Sequence, residues 1–312
     1  MTAPRIRAGV IQAAGVPFDA EASLSELDRL AGEAAGKGCQ LVVFPEAFIG
    51  GYPRGLNFGS VFGSRDAEGR EWYRRYHAAA VDLAGPVRGE LARIARANDV
   101  LLVGGVIERD GGTLYCTAVW TDPELGVMNS RRKLVPTGAE RIAWGNGDLA
   151  RQPVIETRYG RVGVAICWEN YMPLLRTYMY SQGVEIWCAP TADARDTWAA
   201  SMRHIALEGR CFVLSSNQFI RRESYPEDYP VDLAQDAVMC EGGSMIVNPL
   251  GHVLAGPERE QATVLVADLD MGDIARGSLD FDPIGHYARP DLFSLEVDTR
   301  PRAVVRKSQM TY

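Results

Sequence analysis

Apolar positions along the chain keep switching between two spacings. Arg5 to Gln12 alternates as a β-strand does, whereas Asp19 to Gly36 carries Leu24, Leu27, Leu30, Ala31 and Ala34 at helical spacing before running out into glycine. Gln40 to Phe44 is a short apolar run closed by Pro45-Glu46, the signature of a strand buried on both faces. The opening therefore reads as a β-α-β unit with parallel pairing. Val87 to Asn98 is helical, and Val100 to Glu108 and Leu114 to Trp120 flank Asp110-Gly111-Gly112 as the arms of a hairpin would. A strand from Gly126 to Arg131 comes next and delivers Lys133 to the following loop.

Val162 to Ile166 is again apolar and β-branched, and it stops at Cys167. Pro173, Leu174, Leu175, Tyr178 and Met179 then resume helical spacing, with proline suited to a first helical turn. Glu185 to Ala189, Phe212 to Ser216, Ser244 to Val247 and Thr263 to Leu269 read as strands, and Thr197 to Arg210 as a helix. Alternating strands and helices predict the α/β class, and without linker composition residues 1–285 read as one domain.

Two segments break the alternation. Phe48 to Pro86 mixes glycine and proline with Tyr52, Phe58, Phe62, Trp72, Tyr73 and Tyr76. A segment this long reads as an aromatic pocket wall or, equally, as an insertion packed on the surface, with a helix over Arg70 to Leu83. As a pocket wall it favours aryl or arylaliphatic ligands. The second segment, 286–312, reads as a C-terminal arm in which Phe293 to Asp298 alternates strictly, as a terminal strand would. Phe293, Leu295 and Val297 would line a face that a lone subunit leaves uncovered, which predicts a homo-oligomer joined through the arm.

With 312 residues, 46% hydrophobic and 23% charged, the chain has material for a large core. A formal charge of -7 and the absence of any long basic block argue against a nucleic-acid or anionic-membrane partner. No apolar run approaches a membrane span, Met1 to Val10 lacks a signal-peptide core, and the six cysteines form no CxxC pair; a cytoplasmic protein with reduced thiols is expected. His77, His204, His252 and His286 lack ligand spacing, so no metal is expected. Gly145 to Ala150 matches a dinucleotide fingerprint in letters only, since no strand precedes it.

Three polar residues follow three predicted strands: Glu46, Lys133 and Cys167. In open α/β sheets, sites form beyond the carboxyl ends of strands, so the three can share one rim. A carboxylate can take a thiol proton, an ammonium can stabilise charge built on a substrate, and a thiolate can form a covalent intermediate. A helix N-terminus after Cys167 is expected to lower its thiol pKa. His204, inside the helix with Met202 and Ile205, reads as a packing histidine rather than a partner for Cys167.

Phe44-Pro45-Glu46-Ala47-Phe48, Arg131-Arg132-Lys133-Leu134-Val135-Pro136-Thr137 and Ala165-Ile166-Cys167-Trp168-Glu169-Asn170 resemble, in order, the Glu, Lys and Cys motifs of the nitrilase superfamily. Ala189-Pro190-Thr191, Met202 to Ala206, Ser216-Asn217-Gln218 and Gly285 to Asp291 extend the likeness over most of the chain. Trp168-Glu169 and Glu140 to Gly145 resemble the nitrilase branch. The resemblance implies a four-layer αββα sandwich, no cofactor, a small-molecule nitrile as substrate, and assembly through dimers. It also implies roles: Glu46 as general base, Lys133 as electrostatic stabiliser, Cys167 as nucleophile, Glu140 as a second carboxylate, and Trp168, Glu169, Tyr52 and Thr191 near substrate, with Glu169 alternatively holding the cysteine loop. Amidase, carbamoylase and inactive binding protein are the alternatives.

Overall fold

A computed structural model describes residues 3–301. In chain order the first half contains β1 (Arg5–Gln12), α1 (Ala20–Gly36), β2 (Leu41–Val43), the short pair β3 (Ser60–Val61) and β4 (Ser64–Arg65), α2 (Ala67–Ala79), α3 (Val87–Asn98), β5 (Leu101–Asp110), β6 (Thr113–Asp122) and β7 (Gly126–Arg132). The second half continues with β8 (Val154–Thr157), β9 (Gly160–Val164), α4 (Pro173–Ser181), β10 (Ile186–Thr191), α5 (Asp196–Gly209), β11 (Phe212–Asn217), β12 (Phe219–Arg221), β13 (Val238–Val247), β14 (Val253–Arg259), β15 (Thr263–Asp270) and α6 (Gly272–Ser278).

Two sheets result. The first runs β15-β1-β2-β5-β6-β7, and the second β12-β13-β11-β10-β9-β8 with β14 on β13. Period-2 geometry explains why their central strands read as unbroken apolar runs. On β2, Leu41 and Val43 face the core between the sheets while Val42 faces the helices outside. On β10, Ile186 and Cys188 likewise point between the sheets while Trp187 and Ala189 meet α5. α1 and α3 cover the first sheet through Leu27, Leu30, Leu91 and Ile94, and α4 and α5 cover the second through Leu175, Met179, Met202 and Ile205. The layers are helix, sheet, sheet, helix.

Three expectations change. The helix placed over Arg70 to Leu83 instead spans Ala67–Ala79, because Asp66 caps it by accepting from the Gly69 N–H at 2.6 Å and Val81 leaves to pair with β5. The aromatic-rich segment spends most rings on packing: Trp72 and Tyr76 meet Phe18 edge-on, and Phe58 stacks on Tyr76. The alternating stretch Phe293 to Asp298 is no strand: among the described residues it has no pairing partner, and Phe293 stays 79% exposed. Residues 302–312 of the arm lie outside the described residues. Among the described residues no helix is long and apolar enough to cross a membrane.

Candidate active site

Glu46, Lys133 and Cys167 each sit just beyond a strand end, and the facing of the two sheets brings them together. Glu46 follows β2 in a tight turn whose next residue, Ala47, has a left-handed φ of 53°. Only glycine fits beside it on β5: a Cβ on Gly105 would lie 2.5 Å from the Ala47 nitrogen. Gln218, from the second sheet, donates to the Glu46 carbonyl at 2.8 Å and ties the turn across the sandwich.

Lys133 extends the line of β7, and its Nζ bridges Glu46 Oε1 at 2.6 Å and Glu140 Oε2 at 2.7 Å. Glu140 arrives on a 3-10 turn, Gly138–Ile142, where it also accepts the Thr137 N–H at 2.6 Å, and the Tyr52 hydroxyl donates to its other oxygen at 2.7 Å. Burial alone would pull the Lys133 ammonium down, but Glu46, Cys167 and Glu140 outweigh it and hold the lysine well above its ordinary value. Glu46 is raised, by burial first and by Glu140, with Lys133 opposing. Its Oε2 is buried with no hydrogen-bond partner.

Cys167 opens a 3-10 turn, Cys167–Tyr171, with a φ of 49°, and Thr191 Oγ1 donates to its sulfur at 3.2 Å. The expected lowering of its pKa is reversed. Burial pushes the thiol up, Glu46 adds to that, and Lys133 only partly compensates. The helix meant to stabilise a thiolate begins only at Pro173, past the 3-10 turn.

Glu169 is fully committed inside the protein. Arg131 grips it with both terminal nitrogens, at 2.8 and 2.5 Å, while the Leu134 and Ile166 N–H groups each donate at 2.7 Å. These four bonds tie the loop after Lys133 to the residue before Cys167. Burial would raise its carboxyl, but Arg131 and the two N–H groups bring it below the ordinary value.

Over Cys167 opens a cleft of about 760 Å³ lined by Tyr52, Arg54, Glu140, Cys167, Trp168 and Asp193 among others. Trp168 is half-exposed and donates from its indole to Asp193 at 2.9 Å. Thr191 lies buried beneath the sulfur. His204 is not a packing histidine: its side chain is 62% exposed on α5, next to Glu208. Sequence reasoning missed Arg131, although an i, i+2 pair on one strand puts it on the same face as Lys133, and it missed Cys116, whose carbonyl accepts the Lys133 N–H at 2.7 Å.

Two facing sheets flanked by helices form a fold already known from solved proteins. A carbon-nitrogen hydrolase from Helicobacter pylori superposes with a TM-score of 0.72 over 93% of this chain and 97% of its own, at 21% identity. The chain belongs to the carbon-nitrogen hydrolase family, which it matches over residues 7–277. Within that family its likeness is to nitrilases. It is 55% identical to a bifunctional nitrilase/nitrile hydratase of Lupinus angustifolius, over 96% of this chain and 88% of the relative. It is 52% identical to an aliphatic nitrilase of Sinorhizobium fredii, over 96% of this chain and 98% of the relative.

Proposed function

We propose that this protein is a nitrilase, hydrolysing an organic nitrile to the carboxylic acid and ammonia through a covalent bond to Cys167. The observation that carries the reading is Glu46: Lys133 occupies one carboxylate oxygen and the other is buried and free in the group around Cys167. Because its pKa is raised, Glu46 is a stronger base than an ordinary carboxylate and can take the thiol proton as sulfur attacks the nitrile carbon. The proton passes to the nitrile nitrogen, giving a thioimidate. Water adds to form a tetrahedral adduct, ammonia leaves, and a thioester remains. A second water, deprotonated by Glu46, releases the acid and returns the thiol. Lys133 and the Trp168 backbone N–H stabilise the charge built on the substrate, Tyr52 and Thr137 fix Glu140, and Thr191 orients the sulfur.

The adduct bears both sulfur and nitrogen, and the group that leaves decides the product. Loss of nitrogen gives acid, and loss of sulfur gives amide. Lys133 and Glu140 near the oxygen and Glu46 near the nitrogen favour ammonia departure, so acid is the expected main product, with a minor amide. The bifunctional name carried by the lupin relative describes such a split. Proton NMR of the purified protein with an arylaliphatic nitrile and its matching amide tests this. Ready consumption of the amide with the nitrile untouched would replace the reading by an amidase.

The reading includes a homo-oligomer built from dimers through the arm, because Leu292 and Phe293 stand exposed there as apolar surface that a second copy would cover. Truncation after Arg289 is expected to lower the mass found by light scattering. A full-length chain that is monomeric would overturn the assembly.

A further inference from the structure

Cys116 lies on β6, buried, behind the acid-base group rather than in the cleft. Its sulfur lies 3.4 Å from Glu46 Oε1, within reach for a thiol donor, and that same oxygen receives Lys133 at 2.6 Å. Its carbonyl accepts the Lys133 backbone N–H at 2.7 Å. One residue thus holds the carboxylate through its side chain and the lysine through its backbone. Burial, with Glu46 next, pushes the Cys116 thiol well above its ordinary value, so it remains a donor across the working pH range.

We propose that Cys116 is a positioning residue for Glu46: its S–H and Lys133 together occupy Oε1, which stops the carboxylate from turning and leaves Oε2 free for the Cys167 proton. The proposal rests on the reading of Glu46 as the base. A residue that merely fills space could be alanine or serine with little difference. A donor to a carboxylate has a distinct signature, because it stabilises the charged form. The other titratable groups facing Glu46 are Lys133 from the end of β7, Glu140 from its 3-10 turn, Tyr52 from the loop after β2 and Cys167 from the end of β9.

Cys116→Ala and Cys116→Ser separate the two cases. Without the donor the Glu46 carboxylate is less stable, its pKa rises, and the acid limb of kcat against pH moves to higher pH, by roughly half a unit to one unit. Cys116→Ala is expected to lower kcat about tenfold with KM nearly unchanged, and Cys116→Ser, which keeps a donor, to restore most of both. A second readout needs no turnover: the pH dependence of Cys167 alkylation by iodoacetamide, followed by peptide mass spectrometry, should show the same upward shift in Cys116→Ala. Unshifted acid limbs in both assays, or serine behaving like alanine, would reduce Cys116 to packing. If wild type hydrolyses no nitrile while the alkylation limb still shifts, the positioning role stands and the nitrilase reading falls.

Discussion

Cys167→Ala is expected to give a folded protein that turns over no nitrile. Under the proposed mechanism the covalent path begins at this sulfur; Cys116, beside Glu46, lies outside the cleft, and Cys240, which also lines the cleft, turns its sulfur to the Ala192 carbonyl and Asn217 Oδ1 rather than to Glu46 and Lys133. The fold should tolerate the change: alanine meets the same left-handed backbone already imposed on cysteine, and among the described residues the only side-chain hydrogen bond lost is the one from Thr191. Residual activity above about one per cent of wild type, with circular dichroism unchanged, would remove Cys167 from the role. Glu46→Gln and Lys133→Gln extend the series, each lowering kcat by at least roughly two orders of magnitude with a smaller effect on binding. Lys133→Gln also leaves Glu46 and Glu140 without the cation between them, so its fold must be checked alongside its rate. Near-wild-type kcat in either variant under saturating substrate would dissolve the shared rim.

The largest loss of stability is expected from Glu169→Ala. Arg131 and Glu169 are wholly buried, and removing the carboxylate strands a guanidinium together with the Leu134 and Ile166 N–H groups. Breaking a buried pair on one side costs about 3–5 kcal/mol. In a chain of this size that is a fall in melting temperature of about 5–8 °C. The pH dependence follows from the lowered carboxyl: its contribution is present above the unfolded-state value and is lost as pH falls through the lower folded value. A thermal melt of Glu169→Ala within about 2 °C of wild type would show that the pair does not hold the two loops.

Most of what builds the rim could be read from pattern alone, because the strands that carry it are central and doubly buried. β2 and the run from Val162 to Ile166 that continues β9 have no polar face to blur them, and Glu46 and Cys167 mark where the two runs stop. β8, β12 and β14 escaped notice for the converse reason: they lie at or near sheet margins, and β14 is interrupted by Gly256-Pro257 and leaves Val253 and Leu254 exposed. The roles of Glu169 and the Cys167 thiol depended on burial, which spacing does not report. Glu169 shares the residue type expected of a substrate contact, and only its enclosure by Arg131 and two backbone donors identifies it as a tie between loops. The arm misled because strict alternation signals a willingness to pair, whereas a strand also needs a neighbour.

β15 comes from far along the chain yet pairs with β1 along its whole length, from Arg5 opposite Asp270 to Gln12 opposite Thr263. The seam beside it is stitched by Ser216 to the Ile11 carbonyl at 2.6 Å and by Gln12 to the Ser244 N–H at 2.9 Å and to the Gln261 carbonyl at 2.9 Å. A nascent chain that has already made Glu46, Lys133 and Cys167 therefore still has an open edge at β1, and neither a fragment ending before β9 nor one starting after β7 holds all three. Turnover is thus a report on finished synthesis and folding, and fragments cut between β7 and β9 suit a complementation assay, in which activity returns only when the pieces reassemble.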